Sequence, residues 1–436
     1  MTNITLLLAI IFCSYVIFIR NTGAAVGVIV FAMMIWPEYM RIYIGPVAFS
    51  IPRFIALFLL IRLLSKTEYR KFKRNSIDIL IVVSWLWIIL STIIEGSETS
   101  YITQMIGRGL DTVLMYFIAR LSFRNIDDLK GFYKWLVLTA VIMFVVGAVE
   151  STTSYSPYNV LMQYREWHWI DKINEYRLGF LRAKASTSVH IYFGMVMMVI
   201  TGLIWSIRKY IINKFIFKIS LVSSFMAALT SMSSGPWLAC AFLIVFAMFE
   251  KRIKYIKPVL ISLVVFAVFL EIASNRHFYN LIDYVALNSG TAWYRTRLLE
   301  VAVNNLNEFW LFGVGSNMPH HWGQQLDGRS HIDIVNHYLM LALYGGLPAA
   351  FMYIYIHVRI FKNAIFTWRF NADSKQRSLL FGLLSTILAL DMSSLSVSLF
   401  GPVLPLSHIL MAITVAYSQN ILNSNNKEVK SHDRQR

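Results

Sequence analysis

The chain has 436 residues, is 57% hydrophobic and only 14% charged, and carries a formal net charge of +17. A soluble domain averages about 25% charged residues, so a soluble enzyme is excluded, and the basic residues lie in short loops between apolar runs, where they mark membrane topology rather than nucleic-acid binding. Cys13 and Cys240 both fall in apolar runs, which argues against a disulfide framework.

In chain order the apolar runs are Ile4–Ile19, Thr22–Trp36, Pro46–Leu64, Ile77–Ile94, Tyr101–Leu121 and Trp135–Val149. A polar segment, 150–189, follows. The runs resume as His190–Ile207, Ile219–Ser234, Pro236–Phe249 and Ile256–Ala273, then Ile334–Val358, Ser378–Phe400 and Pro402–Leu422 beyond a long loop from Ser274 to Asp333. At roughly 20 residues per crossing this predicts an all-α, polytopic transmembrane helical bundle of about 12–13 helices. The first run lacks a basic start and a small-residue cleavage site and reads as a retained helix rather than a signal peptide. Residues 1–422 form one membrane domain, and 423–436 read as a disordered cytoplasmic tail.

Orientation follows the basic loops. Lys66 to Arg74, Arg208 to Lys218, Lys251 to Lys257 and Arg359 to Arg377 all fall on one face if the helices alternate, and that face is taken as cytoplasmic. The acidic loop Glu95 to Glu98 and the polar segments 150–189 and 274–333 then lie outside.

The loop from Ser274 to Asp333 contains Arg276, Arg295, Arg297 and Arg329 but no lysine, and leads into Asn336-His337-Tyr338. Guanidinium grips phosphate oxygens two at a time, whereas ammonium is a point charge. The pattern therefore points to a lipid-linked phosphate. Arg295 and Arg297 are two apart in a helical stretch and face different ways. Arg297 has Glu300 as a salt-bridge partner, which leaves Arg295 as the preferred phosphate ligand. His337 suits a general base by its ordinary pKa, or it is an interfacial histidine bonded to a backbone carbonyl.

Trp167, Trp169 and Tyr176 in the other external segment suit a sugar-stacking surface or an aromatic belt. Arg182 and Lys184 precede a membrane helix and are placed to cradle an anionic headgroup. Charges inside apolar runs are expensive and by default functional. Arg108 and Asp111, three apart, are expected to neutralise each other. Arg53 lies toward the external side and is a further phosphate candidate, while Asp391 has no evident partner. HExxH, GxGxxG, P-loop and GxSxG motifs are absent, and His320-His321 lacks a third metal ligand.

Three blocks carry a family resemblance: Leu229-Thr-Ser-Met-Ser-Ser-Gly-Pro-Trp-Leu-Ala239, Tyr294-Arg295 to Glu300 with Trp310-Leu-Phe-Gly-Val-Gly-Ser316, and Asn336-His337-Tyr338-Leu339 with Tyr344-Gly345-Gly346-Leu347. A weaker block runs from Arg182 through His190 to Gly194. In order and spacing these resemble the O-antigen ligase and Wzy-type polysaccharide polymerase superfamily, integral membrane glycosyltransferases of GT-C-like type. The resemblance implies an undecaprenyl-diphosphate-linked oligosaccharide as donor, action on the periplasmic or outer face of the bacterial inner membrane, and neither metal nor cofactor. By position it makes Arg295 the catalytic diphosphate ligand, His337 the catalytic residue that helps activate the acceptor hydroxyl or orient the reacting groups, and Arg182 an accessory phosphate ligand; Arg297, Asn336, His190 and Arg53 are further substrate-side candidates from their places in the sequence. A chain-length regulator protein is a candidate partner and nucleic acid is not. Ligases commonly carry arginine in the first block, where this chain has Ser234, so a polymerase is expected. The alternatives are a ligase acting on lipid A-core, a flippase or exporter of lipid-linked glycans, and a non-catalytic assembly scaffold.

Overall fold

The computed structural model describes residues 2–66, 72–164, 175–250, 289–326, 332–371 and 373–433, with 252, 261, 265 and 328 standing singly between them. The expected run Ile256–Ala273, with Arg276, Arg329, Trp167 and Trp169, lies outside the described residues. The rest is a helical bundle. Its long elements are α1 (Thr2–Phe18), α2 (Thr22–Ile35), α3 (Ile51–Ser65), α4 (Ser76–Ile94), α5 (Thr99–Gly109), α6 (Met115–Ser122), α7 (Ile126–Thr153), α8 (His190–Ser206), α9 (Lys214–Thr230), α10 (Ser234–Phe249), α11 (Ser289–Asn304), α12 (His337–Phe370), α13 (Ser374–Ser394) and α14 (Val403–Asp433). Helices α4, α7 and α12 are long and apolar enough to cross a membrane, and α1, α2, α8 and α10 contribute shorter apolar helices. Among the described residues, strand is confined to two antiparallel hairpins, β1 (Ile42–Ile44) with β2 (Val47–Phe49) and β3 (Tyr176–Arg177) with β4 (Phe180–Leu181). Helix α14 continues to Asp433, through most of the tail that composition marks as unstructured.

Side-chain caps show why helices start where they do. Asn21, Asn75, Asn125, Asn213 and Asp373 cap α2, α4, α7, α9 and α13, each accepting from backbone amides of the first turn. At Asn75 and Asn125 the third helical residue is an aspartate that closes a capping box. Such caps satisfy amides that would otherwise be orphaned at the edge of the bilayer. All five lie in or beside short polar connections, and cross-contacts tie the basic loops into one face. Arg208 pairs with Glu250 at 2.5 Å, Ser378 donates to Glu250 at 2.7 Å, Lys209 reaches the Ser374 carbonyl at 3.3 Å and Arg359 reaches Ser76 at 2.8 Å.

Two departures from regular helix matter for the site. Between α5 and α6 the chain makes a π-helical turn over Leu110–Leu114, a feature often found at functional positions. The wider turn re-phases the helix and separates Arg108 from Asp111, which three-residue spacing had paired. Asp111 is instead held by Arg53 through two hydrogen bonds, of 2.9 and 2.6 Å, while Arg108 turns toward Tyr344.

The second departure breaks α12. Gly345 has φ −152° and ψ 27°, and Gly346 has φ 72° and ψ 179°, the latter a conformation essentially confined to glycine. A Cβ on Gly346 would lie 2.0 Å from the Leu311 carbonyl oxygen. Pro348 follows near the start of the next helical segment, a position its fixed φ suits. In a straight helix residues 337 and 353 would stand roughly 24 Å apart, yet the rings of His337 and Tyr353 are 5.1 Å apart. The two halves of α12 therefore fold against each other. His337 is thereby folded back beside Tyr353 rather than standing a helix length away from it.

Candidate active site

The β3–β4 hairpin docks on the turn between α9 and α10. The Ala183 amide donates to the Thr230 carbonyl at 3.0 Å, Arg177 donates to the Met232 carbonyl at 3.0 Å, and Arg182 donates to the Ser233 hydroxyl at 3.0 Å. Arg182 is also paired with the Glu175 carboxylate, and His190, at the start of α8, lies 3.9 Å from the same carboxylate. Both Arg182 and His190 are thus gathered into one cluster. Burial holds the Arg182 guanidinium below its usual pKa, with Glu175 opposing and Arg177 reinforcing the shift. Its Nε is buried without a hydrogen-bond partner among the described residues.

Helix α11 presents Arg295 to the same region. Arg295 is 8% exposed and its Nε also lacks a hydrogen-bond partner among the described residues. Burial again lowers its pKa, Asp333 opposes the shift, and Arg177 adds repulsion. The preceding residue fixes this placement: the Tyr294 hydroxyl donates to the Asp333 carbonyl and accepts from the Asp333 amide, each at 2.9 Å. Arg297 faces elsewhere, pairing with Glu300 at 2.9 Å and reaching the Gln325 carbonyl at 3.3 Å. Arg53 is engaged by Asp111 and by the Ala48 carbonyl. The structure therefore does not gather these two with Arg295. His321 faces Glu308 at 3.0 Å.

Four residues past Asp333, His337 is 1% exposed. Asn336 caps it into place, accepting from the Leu339 amide at 3.0 Å and donating to the Leu395 carbonyl at 3.0 Å. The His337 Nδ1 accepts from the Leu399 amide at 3.3 Å. A neutral ring that accepts at Nδ1 carries its proton on Nε2, and that Nε2 is buried without a hydrogen-bond partner among the described residues. It is therefore offered as a donor rather than as a base.

Three groups were not legible as site residues. Arg177 lies close enough to bear electrostatically on Arg182, His190 and Arg295. Glu175 orients Arg182. Arg108 donates to the Tyr344 hydroxyl at 3.2 Å, stacks 4.6 Å over that ring and 5.8 Å from the Phe400 ring, and acts electrostatically on His337. In sequence the first two stood in the polar segment 150–189, where Arg182 and Lys184 drew the headgroup reading. A lone intramembrane arginine beside Asp111 looked already neutralised.

The arrangement brings Arg177 into electrostatic reach of both Arg182 and Arg295, whose Nε donors are unused among the described residues, beside the Glu175 and Asp333 carboxylates. Such a surface suits an anion with several oxygens. Residues 219–354, which include the α9–α10 turn, Arg295 and His337, match the Wzy_C family model, O-Antigen ligase. No curated protein matches the chain. Residues 219–354 are thus similar to an O-Antigen ligase domain, within a chain whose described residues include three helices long and apolar enough to cross a membrane.

Proposed function

We propose that this enzyme is a polysaccharide polymerase. It transfers glycan from an undecaprenyl-diphosphate-linked donor to a lipid-linked repeat-unit acceptor on the periplasmic or outer side of the bacterial inner membrane. The face bearing Arg182, Arg295 and His337 is then external, and the face of the basic loops is cytoplasmic. The observation that carries the reading is the clamp of Tyr294 on Asp333, which ties the helix bearing Arg295 to the segment that leads into His337.

In the reaction the acceptor O–H bond breaks, its oxygen forms a bond to the anomeric carbon, and its proton passes to the departing diphosphate. The bond from that carbon to the diphosphate breaks, and its electron pair stays on the phosphate oxygen. Arg295, with Arg182 and Arg177, stabilises the growing charge. Donors fixed before the reaction need no reorganisation, which makes this the largest catalytic contribution in many enzymes. His337, with its Nε2–H, orients a phosphate or sugar oxygen. Asn336 holds the start of its helix.

Polymerase is favoured over ligase because Ser234 stands where ligases carry arginine, and because Arg177 and Arg182 already reach Met232 and Ser233 in that turn. The deciding experiment supplies purified protein in lipid vesicles with polyprenyl-diphosphate-linked repeat units. Formation of longer lipid-linked chains supports the proposal. Movement of labelled donor across the bilayer without a new glycosidic bond identifies an exporter instead. In cells, loss of a polymerase accumulates single repeat units, whereas loss of a ligase leaves polymer on its carrier.

A further inference from the structure

Behind His337 lies a set of buried polar groups that the proposed transfer does not use. The Tyr353 ring contacts both the His337 ring, edge-on at 5.1 Å, and the His357 ring, tilted at 4.3 Å. The His357 Nδ1 lies 2.9 Å from the Tyr353 carbonyl. A carbonyl can only accept, so Nδ1 carries a proton and donates it. The other ring nitrogen, Nε2, lies 3.4 Å from the Asp391 Oδ1 on α13, and that oxygen has no ordinary hydrogen bond among the described residues. In the neutral ring Nε2 presents a lone pair. A lone pair facing a carboxylate inside a membrane is repulsive, and a bare buried carboxylate is costly. Both difficulties vanish if one proton sits between them, carried either by Nε2 or by Oδ1.

Resting on the functional reading above, we infer that His357 and Asp391 share a single proton behind His337. Acting through the intervening Tyr353 ring, they serve as positioning residues for glycosyl transfer. Three elements face the pair. On α12 stand Tyr353 and Tyr338, whose hydroxyl donates to the Asp391 carbonyl at 3.2 Å. On α14 stands His408, whose Nδ1 is committed to the Leu404 carbonyl at 2.9 Å and which lies within electrostatic reach of His337 and His357. From α5, Arg108 acts on His337 and His408. Moving the shared proton between nitrogen and oxygen switches the charge on His357 and alters the field at His337.

The test has two arms. Nitrogen NMR of the histidine-labelled wild-type protein, with the His357 signal assigned by its loss in His357→Gln, should show a proton on Nδ1 across the folded pH range. A His357 signal with Nδ1 unprotonated overturns the pairing. The second arm measures transfer rate against pH in vesicles. Asp391→Asn keeps a hydrogen-bonding partner for Nε2 but removes the mobile proton. It should slow transfer by on the order of 10²-fold, the low end for a proton-handling group, and lose one ionisation from the pH profile, while Asp391→Glu restores both. Should Asp391→Asn not accumulate, His357→Gln makes the same comparison. A wild-type rate and profile in Asp391→Asn, or Asp391→Glu failing alongside it, overturns the positioning role. If the wild-type protein forms no glycosidic bond at any pH, the functional reading fails while the NMR arm still decides the pairing.

Discussion

The hydroxyl of Tyr294 bonds both the amide and the carbonyl of Asp333. One side chain thus joins the helix that presents Arg295 to the strand of backbone that delivers His337. Tyr294→Phe removes both bonds to Asp333, which is exposed, so the loss is about 0.5–1.5 kcal/mol for each bond rather than a buried-group penalty. Polymer yield in cells should fall at normal protein level. A yield equal to wild type would mean that the clamp is not needed to hold the two halves in register.

Arg295→Ala should reduce transfer by about 10²–10³-fold, the usual effect of deleting one preorganised donor at a developing anion. Arg295→Lys should recover only part of this, because an ammonium lacks the planar fork. Measured rates on lipid-linked substrate decide it, with full activity in the lysine variant arguing for simple charge.

Arg182 and Arg295 are both held below the usual arginine range by burial. Lowering a cation's pKa in the folded state makes stability rise with pH only as the guanidinium itself titrates, far above neutrality, so neither group should produce a pH effect between pH 6 and 8, several units below the ordinary arginine pKa of about 12.5–13.8. What relieves the burial is an anion. Inorganic pyrophosphate should raise the thermal unfolding temperature of the wild-type protein, by the equivalent of about 2.7 kcal/mol at a hundredfold excess over its Kd. The increment should vanish in an Arg182→Ala, Arg295→Ala double variant.

Arg53 and Asp111 form a partly buried pair inside the bundle, 16% and 23% exposed. Removing either partner leaves an unpaired charge and should cost about 3–5 kcal/mol. Removing both should cost far less. Thermal unfolding of the two single variants and the double variant tests this. An Arg53→Ala variant of normal stability that has lost only activity would instead return Arg53 to the phosphate site.

Much of the bundle was legible because lipid demands long apolar runs and because asparagine and aspartate caps announce helix starts. The Arg297–Glu300 pair was equally plain, since partners three residues apart on a helix are a local matter. Contacts set by geometry between elements were not. Asp111 went to Arg53 because a π turn intervenes, a phase change that spacing does not reveal. Arg177 and Glu175 join the site only because the short hairpin Tyr176–Leu181 lands on the α9–α10 turn. Tyr344-Gly-Gly-Leu347 was recognised as a motif but read as the interior of one helix, so the depth of His337 was missed. Asp391 had to wait for a neighbouring helix to supply His357.

Folding α12 back on itself bears on side reactions. Water is the commonest rival nucleophile for an activated sugar, and an active site that excludes it suppresses hydrolysis. A ring 1% exposed, tucked behind the glycine reversal, has almost no solvent in its company. Donor incubated without acceptor should accordingly persist intact, with the free reducing sugar released far more slowly than chains are extended. Opening the reversal with Gly346→Ala, wherever enough protein survives to assay, should raise that leakage relative to transfer.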